Sequence, residues 1–229
     1  MNFKIKIPLI QTEPDDNFKT DLIKSSPVMI NKYGAYFRLA AALTNLPVQV
    51  LYSMGMVEST GQHYKANGSV IVTGAEQSTG IMQISPNMFY EVYMKEVRGG
   101  RISPELMAKV SSYLPIDFKS KSTPQPATAA LKAQVLKALQ DPQFNILASA
   151  IVLRRLLEES ANADMTMRLD KAIVKYNAGL YVAAAKTTEY QTGDTAAVIK
   201  VAPAITKGYI VKVVGKNGAM YYFLLNKIS

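Results

Sequence analysis

Apolar positions recur at helical spacing over most of the chain. From Asn31 to Thr44 the residues Tyr33, Tyr36, Phe37, Ala40 and Ala41 share one side of a 3.6-residue period and predict an amphipathic helix. A shorter helix is expected over 17–25, broken by Ser25-Ser26-Pro27, because proline removes a backbone donor and crowds the preceding turn. Pro47 restarts the chain in a first turn, where its missing N–H costs nothing. The helix that follows carries Val50, Leu51, Met54 and Val57 on one side, with the two nearby methionines as core filler, and delivers Glu58 at its C-terminal end. Further helices are expected from Ser85-Pro86 to about Val97, stopped by Gly99-Gly100, and from Ser103-Pro104 to about Ser112. Ala127–Leu139 and Asp141-Pro142 to about Ser160 follow, the latter with Ile146, Ala150, Leu153 and Leu157 inward. Met165–Tyr176 ends at Asn177-Ala178-Gly179, and Pro203–Val213 is the last helix expected.

Period-two patterning is rarer. Residues 3–10, FKIKIPLI, alternate up to Pro8 and predict a short strand. Ser69–Thr73 is rich in β-branched residues between Gly68 and Gly74 and predicts a small hairpin or sheet. Ile210–Val214 and Tyr221–Leu225, around an Asn217-Gly218 turn, compete as strands with the last helix. Residues 115–126 read as an exposed loop and 186–191 as a polar connection. The expected class is mainly α (α+β), with one small β element between Glu58 and Gly80.

Composition narrows this little. At 229 residues, 48% hydrophobic and 19% charged, the chain can build the core of one domain with appendages. It has no cysteine, so disulfides and thiolate chemistry are excluded. The formal net charge of +9 suits nucleic acid, a membrane surface or an anionic polymer. No Lys/Arg cluster with interleaved aromatics supports nucleic acid as a partner. No uncharged apolar run approaches ~18 residues, so no transmembrane segment is expected. The N-terminus lacks the form of a signal peptide, since Lys4 and Lys6 interrupt its apolar residues and Pro8 follows. No His/Cys/Asp/Glu grouping suggests a metal and no Gly-rich phosphate loop suggests a nucleotide, so no cofactor is expected. His63, the single histidine, reads as an ordinary surface or loop residue, and it leaves Ser59 without a partner for nucleophilic catalysis.

The candidate chemistry lies in Pro47–Ser85. Its first run is apolar yet ends in Glu58, and desolvation at the edge of an apolar cleft disfavours the carboxylate anion. The C-terminal end of a helix dipole acts in the same direction. A carboxyl that keeps its proton is what general acid catalysis near neutral pH requires.

Glu58-Ser59, then Gly80-Ile81-Met82-Gln83-Ile84, then Tyr176-Asn177-Ala178-Gly179 occur in that order. This succession resembles the soluble lytic transglycosylase family and its relative, goose-type lysozyme, over about residues 47–93 and 141–214. The resemblance implies a lysozyme-like fold whose small β element walls a saccharide cleft. It implies a domain at 31–214, between an N-terminal extension at 1–30 and a tail at 215–229. The implied reaction cleaves the β-1,4 bond between N-acetylmuramic acid and N-acetylglucosamine in peptidoglycan, with Glu58 as acid and then base, forming 1,6-anhydro ends. By the same resemblance Ser59 shapes the site, Gly80, Met82 and Gln83 line the cleft, and Tyr176, Asn177 and Tyr209 face it.

The chain departs from the family pattern in several places. Leu180 stands where proline usually follows, and the spacer from Glu58 to Gly80 is longer than usual. Thr73 is the nearest counterpart of a serine often found in that spacer. Goose-type enzymes add aspartates near the glycine segment, where this chain has Ser85, and Glu76 is the possible second carboxylate. The alternatives are therefore a goose-type muramidase, or a non-catalytic wall-binding structural protein of a phage particle. Without a signal peptide, delivery to the bacterial wall or periplasm is expected through a phage particle, a secretion machine or lysis.

Overall fold

The computed structural model describes residues 4–8, 10–116, 118, 128–161 and 166–228. It is mainly helical, with eleven α-helices and two small two-stranded sheets among the described residues. No helix among them is long and apolar enough to cross a membrane. By its contacts the chain divides into two units, Ser25–Val152 on one side and Met1–Lys24 with Leu153–Ser229 on the other.

The first helix, α1 (Asp16–Thr44), is unbroken and contains Pro27, against the expected break there. Its buried residues Phe18, Leu22, Met29, Tyr33 and Phe37 keep a helical period on both sides of the proline, so burial of the stripe outweighs the lost donor. Pro27 itself faces solvent, where the carbonyl it leaves unpaired can be hydrated. The expected boundary at residue 30 thus falls inside a helix.

The 25–152 unit continues with α2 (Val48–Ser59), β2 (Val72–Thr73), β3 (Ser78–Thr79), α3 (Pro86–Arg98), α4 (Pro104–Ser111), α5 (Ala129–Leu139) and the start of α6 (Pro142–Glu159). Local caps set several starts, as expected. Ser85, Ser103 and Asp141 each accept the N–H three residues on, those of Met88, Leu106 and Phe144, satisfying donors the first turn leaves open. The core is aromatic: Phe89 stacks on Tyr93 at 5.3 Å and meets Phe144 edge-on at 5.4 Å, and Phe37 tilts against Tyr52 at 5.0 Å. Phe118, read as part of an exposed loop, is buried edge-on against Tyr93 at 4.9 Å, and residues 117 and 119–126 of that loop lie outside the described residues. β2 and β3 pair antiparallel, Val72 with Thr79 and Thr73 with Ser78, which is the expected hairpin.

The other unit pairs β1 (Lys4–Lys6) parallel with β4 (Thr166–Arg168). The expected helix over 165–176 therefore starts later, as α7 (Leu169–Ala178), because its first residues are taken into the sheet. After a 3-10 turn at Ala183–Lys186 come α8 (Thr188–Thr192), α9 (Thr195–Val201), α10 (Ala204–Val214) and α11 (Ala219–Leu225). The strand alternative for 210–225 does not occur. Buried Thr206, Tyr209, Ile210 and Val213, then Ala219, Met220 and Phe223, follow helical periods, and residues 219–225 of the expected tail are helical. Asp170, fully buried, is paired bidentately by Arg168 at 2.9 and 2.6 Å, and Arg168 also donates to the Gly193 carbonyl.

Candidate active site

Helix α2 is buried from Val50 through Met56 on every side, not on one face as its pattern suggested. It emerges at its two ends, at Val48 and Gln49 in the first turn and at Val57, Glu58 and Ser59 in the last, all half-buried. Thr60 then enters the left-handed region and donates to the Met56 carbonyl, while Gly61 donates to that of Gly55, closing the helix end. A carboxylic acid is thus carried to a half-buried position on the end of a largely buried helix, in which the Ser53 hydroxyl is paired with the Gln49 carbonyl.

Ser59 joins this end to the Gly80–Ile84 turn. Its hydroxyl donates to the Ile81 carbonyl at 2.8 Å, with the Gly55 carbonyl a second acceptor at 3.2 Å, and it accepts the Gln62 N–H at 3.1 Å. The rest of the turn is bound with equal completeness. Gly80 N–H donates to the Ile71 carbonyl at 2.7 Å, and Ile71 N–H to that of His63 at 3.0 Å. Ile81 N–H donates to His63 Nδ1 at 3.1 Å, and Met82 N–H to Asn145 Oδ1 at 3.0 Å. Asn145 Nδ2 donates in turn to the carbonyls of Thr79 and Leu139 at 2.7 and 3.2 Å. Both His63 and Asn145 are fully buried. Leaving any one of these groups unpaired costs about 1–3 kcal/mol, so the turn has essentially one conformation.

Two conformational facts follow. Gly80 has φ +70° and no room for a Cβ, because the His63 ring and the Asn145 amide already occupy that space. Gln83 also sits at positive φ, +45°, which is uncommon for a residue with a side chain. Its own amide offsets the strain: Nε2 donates to the Gly80 carbonyl at 2.7 Å, and Oε1 accepts from Thr73 Oγ1 at 2.5 Å. Thr73, expected from the sequence as the nearest candidate for the spacer serine, thereby meets the glutamine expected to line the cleft.

The Met82 side chain is fully buried, its sulfur among those nearest to Gly55, so what this residue offers at the turn is backbone. Ile84 is core, as expected. Glu76 lies in the exposed connection between β2 and β3 and accepts from Asn87 Nδ2 at 3.0 Å. His63 is a correction: read from sequence as a surface or loop residue, it is fully buried and holds the turn from behind. Asn145 was missed altogether. An asparagine in the first turn of an apolar helix, with no local cap to make, was the one available signal.

The remaining candidates belong to the other unit. Tyr176 and Asn177 end α7, where Gly179 adopts φ +99° and donates to the Lys175 carbonyl. Asn177 Oδ1 accepts from buried Thr206 Oγ1 at 2.8 Å, joining the end of α7 to α10, and Tyr209 is one turn further along α10. Both tyrosines are buried, at 5% and 8% exposure, so within this unit they serve its packing as well as any surface.

Compared with family models, curated proteins and solved structures, the chain matches none of them.

Proposed function

We propose that this chain is a peptidoglycan lytic transglycosylase with a lysozyme-like fold, cleaving the β-1,4 bond between N-acetylmuramic acid and N-acetylglucosamine. The observation that carries the reading is the junction of helix end and turn. Glu58 stands next to Ser59, whose hydroxyl binds Ile81 in a turn immobilised by His63 and Asn145. A carboxyl on a rigid helix end beside a preorganised turn has the positional definition that proton transfer in a transition state demands.

In the proposed cycle, protonated Glu58 gives its proton to the glycosidic oxygen as the C1–O bond breaks and oxocarbenium character develops at the muramic carbon. The substrate's N-acetyl group stabilises that cation, so no second carboxylate is required. The Glu58 carboxylate then removes the proton of the sugar's own 6-hydroxyl, whose oxygen closes on C1. The 1,6-anhydro ring forms and Glu58 regains its proton. The half-buried Gln83 amide is the group suited to the N-acetyl function, and it would do so by exchanging its bond to exposed Thr73 while keeping the one to Gly80.

The test is Glu58→Gln assayed by turbidity loss on purified walls, with mass spectrometry of the released muropeptides. The isostere cannot give up a proton, so activity should fall at least 10²–10⁴-fold in a folded protein. Wild-type products should be lighter by one water than reducing muropeptides. Near wild-type lysis by the variant would end the assignment. Reducing muramic ends that disappear on Glu76→Gln would make the enzyme a muramidase instead, with Glu76 holding the attacking water.

A further inference from the structure

The only histidine is spent on one turn, and both of its nitrogens are committed. Nδ1 faces a backbone N–H, that of Ile81, and must therefore carry a lone pair. The proton consequently resides on Nε2, which donates to the Gln140 carbonyl at 2.8 Å. The backbone of His63 contributes as well, because its carbonyl accepts Ile71 N–H, and the Ile71 carbonyl accepts Gly80 N–H. A second proton on the ring would set Nδ1–H against Ile81 N–H, two donors face to face in a site with no water access to either.

We propose that His63 is a positioning residue for the Glu58 site: in its neutral Nε2–H form it accepts the Ile81 N–H and so fixes the backbone of Ile81, whose carbonyl in turn accepts from Ser59, the residue next to the catalytic acid. The catalytic consequence rests on the reading of Glu58 above; the coupling of His63 to Ile81 does not. The path is continuous and short, running from the ring through Ile81 N–H, the Ile81 carbonyl and Ser59 Oγ to the last turn of α2. Charging the ring breaks its first bond.

The surroundings favour the neutral ring. Burial is the largest influence and holds its pKa below the ordinary 6.5. Lys32 on α1 acts in the same direction, with its ammonium over the Tyr33 and Tyr64 rings at 5.2 and 5.4 Å. Asp141, which caps α6, and the Gln140 carbonyl oppose them. Tyr64 meets the imidazole edge-on at 4.7 Å, and Tyr33 lies at 6.4 Å.

The experiment follows the Ile81 amide of the full chain by NMR hydrogen exchange against pH, corrected for the intrinsic pH dependence, together with the ¹⁵N shifts of the imidazole. Expected are the Nε2–H tautomer at neutral pH, strong Ile81 protection, and at least a tenfold loss of that protection as the ring protonates. His63→Asn keeps an acceptor near the Nδ1 position but cannot titrate. Its Ile81 protection should be independent of pH over the same range, and the acid limb of kcat/KM for wall lysis should be absent. Three results would each overturn the proposal: an Nδ1–H tautomer, Ile81 exchange indifferent to ring protonation, or an acid limb unchanged in His63→Asn. A chain without lytic activity would remove the Glu58 reading while leaving the exchange measurement to decide the role of His63.

Discussion

Replacing Gly80 by alanine isolates how tightly the turn is held. At φ +70° a left-handed L-residue costs about 1–2 kcal/mol before any contact is considered. The added Cβ would then stand 2.4 Å from His63 Cε1, 2.6 Å from His63 Nδ1 and 2.8 Å from Asn145 Nδ2. Neither neighbour is the loose end of a flexible side chain, because the ring is bonded at both nitrogens and the amide at both ends. Relief requires breaking the bond to Ile81 or to Met82, which strands a buried N–H at about 1–3 kcal/mol. The total is roughly 2–5 kcal/mol, combining the backbone cost with one stranded donor. Gly74→Ala is the control. Its φ of +66° carries the same backbone penalty, yet no atom lies within 4 Å of the added Cβ. It should lose only about 1–2 kcal/mol. Urea unfolding followed by far-UV circular dichroism serves both, since the chain has no tryptophan to report by fluorescence. With a slope of about 2–3 kcal/mol per M, the extra ~1–3 kcal/mol in Gly80→Ala should separate the two midpoints by about 0.3–1.5 M. Equal losses in the two variants would refute the view that His63 and Asn145 fill the space beside Gly80.

Stability should depend on pH through His63. Its folded pKa lies below the ordinary 6.5, chiefly through burial, so between those two values the unfolded chain binds more protons. The stabilisation from the neutral ring is complete above about pH 6.5 and is lost as pH falls from there toward the folded pKa; His63→Asn should flatten that component of the unfolding profile, and an unchanged profile would show that other groups carry it. Pro27→Ala, on the solvent side of α1, restores a helical N–H and should stabilise the chain by about 1 kcal/mol in the same assay, whereas a loss would mean that the fixed φ of proline is needed there. Lysis of whole walls by this protein of net charge +9 should weaken as salt rises, while cleavage of a short neutral glycan should barely respond; equal salt dependence would rule out electrostatic steering.

The sequence alone determined what depends on neighbours a few residues away. Ser85, Ser103 and Asp141 start their helices because a short polar side chain reaches the N–H three positions on, wherever the rest of the chain lies. The hairpin at residues 72–79 and the emergence of Glu58 at a helix end were legible for the same reason. Tertiary structure decided the rest. Pro27 is helical because a buried stripe outweighs a local preference, and residues 166–168 are strand because β1 supplies a partner. The interior of the candidate site depends most on distance along the chain. His63 reaches Gln140 across 77 positions, and Met82 reaches Asn145 across 63. A buried polar group must find a partner, but nothing in residue spacing says which one. That choice belongs to the packed interior, where an unpaired donor costs more than any local propensity returns.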